Sequence, residues 1–259
     1  MSFTYQLDGG VGTLTLNRPE QRNALDVPTL KKLDDFLTTD ACDSALRCLI
    51  ITGAGKGFCA GADVAEWDRA AAAGTLESYG WTQAAHTLMQ KLYTLPKPVI
   101  AAINGAAVGG GLDLALCCDL RYAASSAKFL PGYTAMAYSP DGGSSFHLPR
   151  VIGLARATEF LMLDHAWPAE KALSAGLING VFAAEQLLAE VATMASRLAQ
   201  GPTFAYAQIK TLLAQSLRHT LAEQLALELA AGVACGRSDD GHEALAAAVA
   251  KRPAHYRGS

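Results

Sequence analysis

Two short glycine-rich segments hold the residues best suited to chemistry. Gly109, Gly110 and Gly111 are consecutive, set between an apolar run at 99–103 and a second at 112–118. The first run reads as a buried strand bounded by Pro98 and Gly105, the second as a buried helix. Three glycines at a strand-to-helix junction let a ligand approach the backbone with no Cβ in the way. The first turn of a helix offers N–H groups without an acceptor inside the helix, and the helix dipole adds partial positive charge there. Such a loop suits an anion, or an oxygen that becomes anionic during a reaction. A close helix–sheet crossing that only needs small residues would leave the same pattern. Residues 49–53, Leu-Ile-Ile-Thr-Gly, repeat the buried-strand signal and lead into 54–63, where Gly61 and Ala62 again keep the backbone bare. Two strand-then-glycine loops whose N–H groups converge make an oxyanion hole, which favours the chemical reading.

The residues then resemble a known family. Phe58-Cys-Ala-Gly-Ala-Asp63 and Asn104-Gly-Ala-Ala-Val-Gly-Gly-Gly-Leu-Asp113 resemble the two signature segments of the crotonase, or enoyl-CoA hydratase/isomerase, superfamily. The likeness extends from residues 14–19 to residues 251–256. It implies an α/β fold with a ClpP/crotonase-like spiral core of ββα units and a C-terminal helical region. Residues 1–200 would be the core for acyl-CoA binding and catalysis, and residues 201–259 a trimerisation region. A homotrimer or a dimer of trimers is the implied assembly. The implied substrate is an acyl-CoA thioester, with coenzyme A entering as part of the substrate and no separate cofactor. The N–H groups of Ala62 and Gly110 would hold the thioester oxygen.

The resemblance leaves the proton carrier to particular positions. Hydratases of the superfamily carry two glutamates, matched here by Asp113 and Tyr133. A shorter acid and a missing carboxylate argue against a two-carboxylate clamp on one water. The segment Tyr138-Ser-Pro-Asp141-Gly-Gly resembles the one in which the superfamily's isomerases place a catalytic aspartate. Asp141 is therefore the expected acid/base, because one carboxylate that takes a proton from one carbon and returns it to another suffices to shift a double bond. A helix N-cap is its structural alternative. Dienoyl-CoA isomerases carry acids matching both Asp113 and Asp141. Asp113 is thus a second catalytic candidate, with pairing to Arg121 as the structural alternative. His86 and Asp141 match the histidine and aspartate of 4-chlorobenzoyl-CoA dehalogenases, but Ala62, Ala85 and Tyr133 stand where those enzymes have an aromatic cage. Tyr133 and Tyr138 are expected to line the acyl pocket. Arg22, Asn23 and Ala24 match the segment beside the pantetheine and phosphates, and Arg22 is a plausible phosphate partner. Ala60 and Asp63 match positions beside the adenine. Lys251, Arg252 and Tyr256 would reach a neighbour's CoA phosphates or form an exposed basic tail. The expected activity is that of an enoyl-CoA isomerase working through a stabilised thioester enolate. The alternatives are an enoyl-CoA hydratase, a dehalogenase and a non-catalytic CoA-binding protein. A serine hydrolase built on Asp141, Ser144 or Ser145 and His147 is disfavoured, because the spacing is too local and there is no G-x-S-x-G elbow.

The elements that must carry these residues follow from periodicity. Residues 3–7 and 11–16 alternate around Asp8-Gly-Gly10, a hairpin signal. Residues 17–24 are a polar loop. Asp26 caps a helix with Pro28 in its first turn and Leu30, Leu33 and Leu37 on its buried stripe. A strand at 47–53 leads to the first glycine loop. Residues 64–75 have no clear assignment, and their run of alanines suggests mobility. A helix is expected over 76–95, stopped by Pro96-Lys-Pro98, and a strand over 120–124. Alternating strands and helices argue for a largely parallel sheet. Helices dominate thereafter, at about 143–152, 154–163, 168–174, 184–199, 203–217, 219–235 and 238–250. The Ala/Leu-rich stretch at 217–249 is apolar on most sides and wants burial against something.

Composition bounds the rest. The 259 residues are 51% hydrophobic and 17% charged, ample for one large core with a helical appendage. The net charge of −3 and the lack of a basic run make nucleic acid an unexpected partner. No apolar run approaches the ~18 residues needed to span a bilayer, so a membrane is not expected either. The six cysteines form no C-x-x-C pair and read as core thiols of a reducing cytoplasm. The histidines are scattered without H-E-x-x-H, so no metal is expected.

Overall fold

The computed structural model describes residues 1–75 and 80–259. In chain order the strands and helices are β1 (Phe3–Asp8), β2 (Val11–Leu16), α1 (Val27–Thr38), β3 (Cys48–Gly53), β4 (Gly57–Cys59), α2 (Val64–Ala72) and α3 (Trp81–Thr94). Next come β5 (Val99–Ile103), β6 (Ala106–Val108), α4 (Gly110–Leu116), β7 (Leu120–Ala124), β8 (Lys128–Leu130), α5 (Ser144–Ile152) and α6 (Leu154–Leu163). The chain ends with β9 (Trp167–Pro168), α7 (Ala169–Ala175), β10 (Gly180–Phe182), α8 (Leu187–Ala199), α9 (Thr203–Gln215), α10 (Leu221–Arg237) and α11 (Asp239–Ala250).

Two sheets organise the core. The larger has the order β1-β2-β3-β5-β7-β10, antiparallel only at the β1–β2 hairpin and parallel elsewhere. The smaller has the order β4-β6-β8-β9 and is parallel except at β9. Each long strand β3, β5 and β7 runs straight into a short one, β4, β6 and β8, before a helix returns the chain. The repeated unit is therefore ββα. Strands β3 and β5 are buried along their whole length because both faces of the large sheet are covered. Leu49 and Ile51 face a cluster with α1, α3 and α4, while Cys48 and Ile50 face Leu187, Val191 and Ala195 of α8. That double burial explains a continuous apolar run where a one-sided sheet would show alternation.

The periodic elements stand where the sequence places them. Asp26 caps α1, its carboxylate accepting the Thr29 N–H at 2.7 Å, with Pro28 in the first turn. Helix α3 ends just before Pro96, where a pre-proline residue leaves the helical region. Its expected start at 76 lies on residues 76–79, outside those described. Residues 64–72, unassigned from sequence, form α2. The short strands β4, β6, β8, β9 and β10 escaped the sequence reading, since three residues or fewer carry no period.

The C-terminal helices are unevenly buried. Of α10, only Ala231 is buried, while Leu221 and Leu229 are 75% and 70% exposed. Leu245 and Val249 of α11 are likewise exposed. Among the described residues, no helix is long and apolar enough to cross a membrane.

Candidate active site

The two glycine loops meet. The turn after β4 passes through Gly61 at φ 82°, and Gly109 caps α4 at φ 50°, both left-handed positions that glycine adopts without strain. A Cβ on Gly61 would lie 2.7 Å from the Val108 carbonyl oxygen and 2.9 Å from the Gly110 nitrogen. A Cβ on Gly111 would run into the Cys59 carbonyl. These glycines are therefore set by the contact between the loops as well as by turn geometry. Gly110 is the first residue of α4, so its N–H has no acceptor within the helix. Ala62 forms a parallel bridge with Leu25, in which Leu25 N–H donates to the Gly61 carbonyl and Asp63 N–H to the Leu25 carbonyl. That bridge leaves the N–H of Ala62 itself unused. Sequence-expected donors Ala62 and Gly110 thus lie on adjoining loops with their N–H groups spare.

Behind Gly110 stand the two aspartates. Asp113, one turn into α4, is fully buried. Its carboxylate accepts hydrogen bonds from the Tyr133 hydroxyl and the Ser144 hydroxyl. The expected pairing with Arg121 does not occur. Arg121 donates instead to the Leu177 carbonyl at 2.8 Å and the Cys118 carbonyl at 2.7 Å. Burial pushes the Asp113 carboxyl up to about 6; the Ser144 and Tyr133 hydrogen bonds oppose that shift, and the nearby Asp141 charge adds to it. Burial, and then the Asp113 charge, hold the Tyr133 phenol far above its usual range, so it stays a neutral donor.

Asp141 lies one residue from this network. Gly142 packs against the Asp113 side chain so tightly that any Cβ there would strike its carboxylate. Asp141 itself is half-buried, in the loop before α5 rather than at its N-cap, which is Gly143. Burial raises its carboxyl above the ordinary carboxylate range, opposed by the positive field of His86 and a hydrogen bond with the Thr82 side chain. His86, exposed on α3, places Nε2 2.6 Å from the main-chain oxygen of Asp141. The structure thus brings His86 and Asp141 together, with a contact to the backbone.

An aromatic wall that sequence reasoning missed adjoins the oxyanion loops. Trp81 opens α3 and lies over Gly110, where a Cβ would come 2.9 Å from its ring. Its indole N–H donates to the Leu25 carbonyl at 2.6 Å. Trp67 of α2 meets Trp81 edge-on, with ring centroids 5.7 Å apart, and Tyr138 at 5.2 Å. Residue type alone flags two tryptophans beside a glycine loop, but their contact needs α2 and α3 to pack.

The remaining expected positions divide. Arg22 is exposed and left-handed at φ 52°. Asn23 is buried, and its side chain is engaged by the carbonyls of Ala54 and Gly57 and by the Arg18 N–H. Ala24 is buried, and Ala60 N–H donates to the Arg22 carbonyl at 3.0 Å. Asp63 pairs with Arg18 at 3.0 Å, and Arg18 also reaches Asp26 at 3.1 Å. Arg18, not singled out from sequence, thereby staples the 17–26 loop to the first glycine loop. Lys251 is exposed at the end of α11, Tyr256 is half-buried, and Arg252 is engaged by Glu243 at 2.6 Å. Among the described residues, no group of three or more metal-ligating side chains comes together.

With this geometry in hand, comparison with known proteins is informative. The sequence model of enoyl-CoA hydratase/isomerase matches residues 6–259. The chain is 38% identical over 254 residues to a 1,2-epoxyphenylacetyl-CoA isomerase of Escherichia coli strain K12, covering 97% of each. A solved structure from Pseudomonas aeruginosa is 54% identical, with TM-score 0.84 over 88% of this chain and 97% of that one. Another, a putative enoyl-CoA hydratase/isomerase from Mycobacterium abscessus, superposes with TM-score 0.94 at 34% identity, over 99% of this chain and 100% of that one.

Proposed function

Because the chain belongs to the enoyl-CoA hydratase/isomerase family and has its crotonase fold, we propose that it shifts a double bond in an enoyl-CoA thioester. The observation that carries this reading is the half-buried carboxylate of Asp141, whose neighbour Gly142 packs on Asp113 one turn past the Gly110 N–H. In the proposed reaction the Ala62 and Gly110 N–H groups donate hydrogen bonds to the thioester oxygen. They stabilise the enolate that forms when a proton leaves carbon, and each such donor lowers the barrier by about 3–4 kcal/mol. Asp141 takes that proton and returns it at the other end of the allylic system. A raised carboxyl suits this task, since the conjugate acid must also give the proton back. Asp113 positions rather than reacts, because both its oxygens are engaged by hydroxyls inside the core. Trp67, Trp81 and Tyr138 wall the acyl group, and Arg22 and the 22–24 turn, with Ala60 and Asp63, flank the CoA moiety.

Hydration is the second reading, favoured by the closeness of Asp113 to Asp141. The complete burial of Asp113 weighs against a water clamp. The exposed leucines of α10 and α11 fit a trimer or a pair of trimers, in which Lys251 and Tyr256 approach a neighbour's CoA. The deciding experiment is turnover of 3-enoyl-CoA and 2-enoyl-CoA by wild type and Asp141→Asn. Isomerisation of the 3-enoyl substrate, lost at least a hundredfold in the variant, supports the proposal. Hydration that survives Asp141→Asn rejects it and directs attention to Asp113. Chloride release from 4-chlorobenzoyl-CoA would instead identify the His86 and Asp141 pair as a dehalogenase.

A further inference from the structure

A cleft opens beside Asp141. It measures about 630 Å³ and runs between α3, α5 and α9, within the size range of small-molecule sites. One end is formed by Pro140, Asp141 and Gly142, so the cleft begins at the proposed acid/base. Its middle is apolar and aromatic, made by Met89, Tyr93 and Phe146. Tyr93 meets Phe146 edge-on at 6.0 Å, which fixes both rings. Arg218, just beyond the end of α9, also lines it.

Two guanidiniums stand around the Phe146 ring of this cleft. Arg150 holds its guanidinium 3.6 Å from the centre of the Phe146 ring, and Arg218 lies 5.9 Å from the same point. The positive field of Arg121 and Arg150, added to burial, keeps the lining His147 neutral by pulling its pKa down to about 4. The lining itself carries one guanidinium, Arg218, and one carboxylate, Asp141. Arg150 donates to the Phe146 carbonyl, whereas among the described residues no carboxylate pairs with Arg218. A free guanidinium in an aromatic-walled cleft recognises a planar anion, and a carboxylate meets it with two parallel hydrogen bonds.

We propose that this cleft takes the distal part of the acyl group and that Arg218 binds a carboxylate within it. The substrate class is then the mono-CoA thioester of an unsaturated dicarboxylic acid. The inference deepens the reading under Proposed function and rests on it only in taking the ligand to be a CoA thioester. The chain of the acyl group would pass Asp141, which places the carbon to be deprotonated between the oxyanion loops and the anionic tail.

The test is binding rather than turnover, so that it stands apart from the isomerase reading. Calorimetry would compare the mono-CoA thioesters of hexanedioic and octanedioic acid with hexanoyl-CoA and octanoyl-CoA, none of which can isomerise. Wild type should bind at least one diacid thioester tenfold or more tightly than its monoacid counterpart. Arg218→Gln should bring that ratio to within twofold. Arg218 is exposed, so the substitution leaves the core intact. Equal affinities in wild type at both chain lengths would overturn the proposal, as would a preference that survives Arg218→Gln. A partner copy filling the cleft would give the first of these results. Isomerase activity without a diacid preference would reject this inference alone, and a preference without isomerisation would reject only the reaction. Failure of every thioester and of free CoA to bind would reject both.

Discussion

At the scale of single residues, the site separates two aspartates by burial. Asp141 is open to a ligand and should govern rate. In Asp141→Asn, kcat for the proposed isomerisation is expected to fall by ~10²–10⁴ with little change in KM, as measured by steady-state kinetics. The acid limb of the wild-type kcat/KM profile should lie above the ordinary carboxylate range, because the base works only when ionised and burial raises its pKa. Asp113 speaks to stability instead. Its carboxyl is raised from 3.8 to about 6 in the fold, so folding takes up a proton between those values. Stability from this group is therefore fully present below pH 4, is lost as pH rises to 6, and is flat above. The span is about 3 kcal/mol. Urea unfolding of wild type and Asp113→Asn at pH 4 and pH 7 should show the variant gaining about 2–3 kcal/mol on wild type across that interval. Parallel behaviour of the two proteins would mean that the Tyr133 and Ser144 hydroxyls stabilise the ionised form as much as burial penalises it. Gly110→Ala is a backbone test. Its Cβ would meet the Trp81 ring at 2.9 Å, so the ring or the N–H must move. Loss of one oxyanion donor lowers kcat by roughly 10²–10³ in comparable sites.

At the scale of elements, the loop at 131–138 matters because it delivers Tyr133 to Asp113. It is held from outside by Asp164, the left-handed residue that ends α6. The Asp164 carboxylate accepts from Gly132 N–H at 2.6 Å, from the Thr134 hydroxyl at 3.0 Å and from Ala135 N–H at 3.1 Å. Removing it leaves three donors to water and loosens the loop. Asp164→Ala should lower thermal stability, with hydrogen bonds to a charged group contributing about 1.5–3 kcal/mol each and the left-handed backbone disfavouring Ala further. Asp164→Asn keeps an acceptor and tolerates the same conformation, so it should recover part of the loss. Differential scanning calorimetry of both variants measures this, and equal melting temperatures would show that the loop is held by its own packing. The same scale explains α2. Its alanines favour a helix, and Trp67 docks that helix on Trp81.

At the scale of the whole molecule, the large sheet is buried on both faces, while the C-terminal helices leave theirs uncovered. Leu221, Leu229 and Val249 are 75%, 70% and 86% exposed, large apolar side chains left uncovered along α10 and α11. Light scattering should therefore report an assembly of three or six copies. Leu229→Glu should weaken it without unfolding the single chain, because that side chain has little to pack against within its own chain. A monomeric wild type would leave these helices without an explanation.

What the sequence determined by itself was local. The hairpin at Asp8-Gly-Gly10, the capped helix at Asp26, the two glycine loops and the apolar strands before them are written in neighbouring residues, whose turn chemistry and burial pattern act within a few positions. The candidates Ala62, Gly110 and Asp141 were legible for the same reason, as parts of continuous motifs. Only the tertiary structure decided what those residues touch. Asp113 and Arg121 are eight positions apart, but Asp113 on α4 meets Tyr133 and Ser144 while Arg121 on β7 meets the Leu177 carbonyl. The Trp67–Trp81–Tyr138 wall and the Arg218 cleft join segments separated by tens of residues. Contacts of that kind depend on how helices pack around a sheet, and packing is set by the summed shape of the core rather than by spacing along the chain.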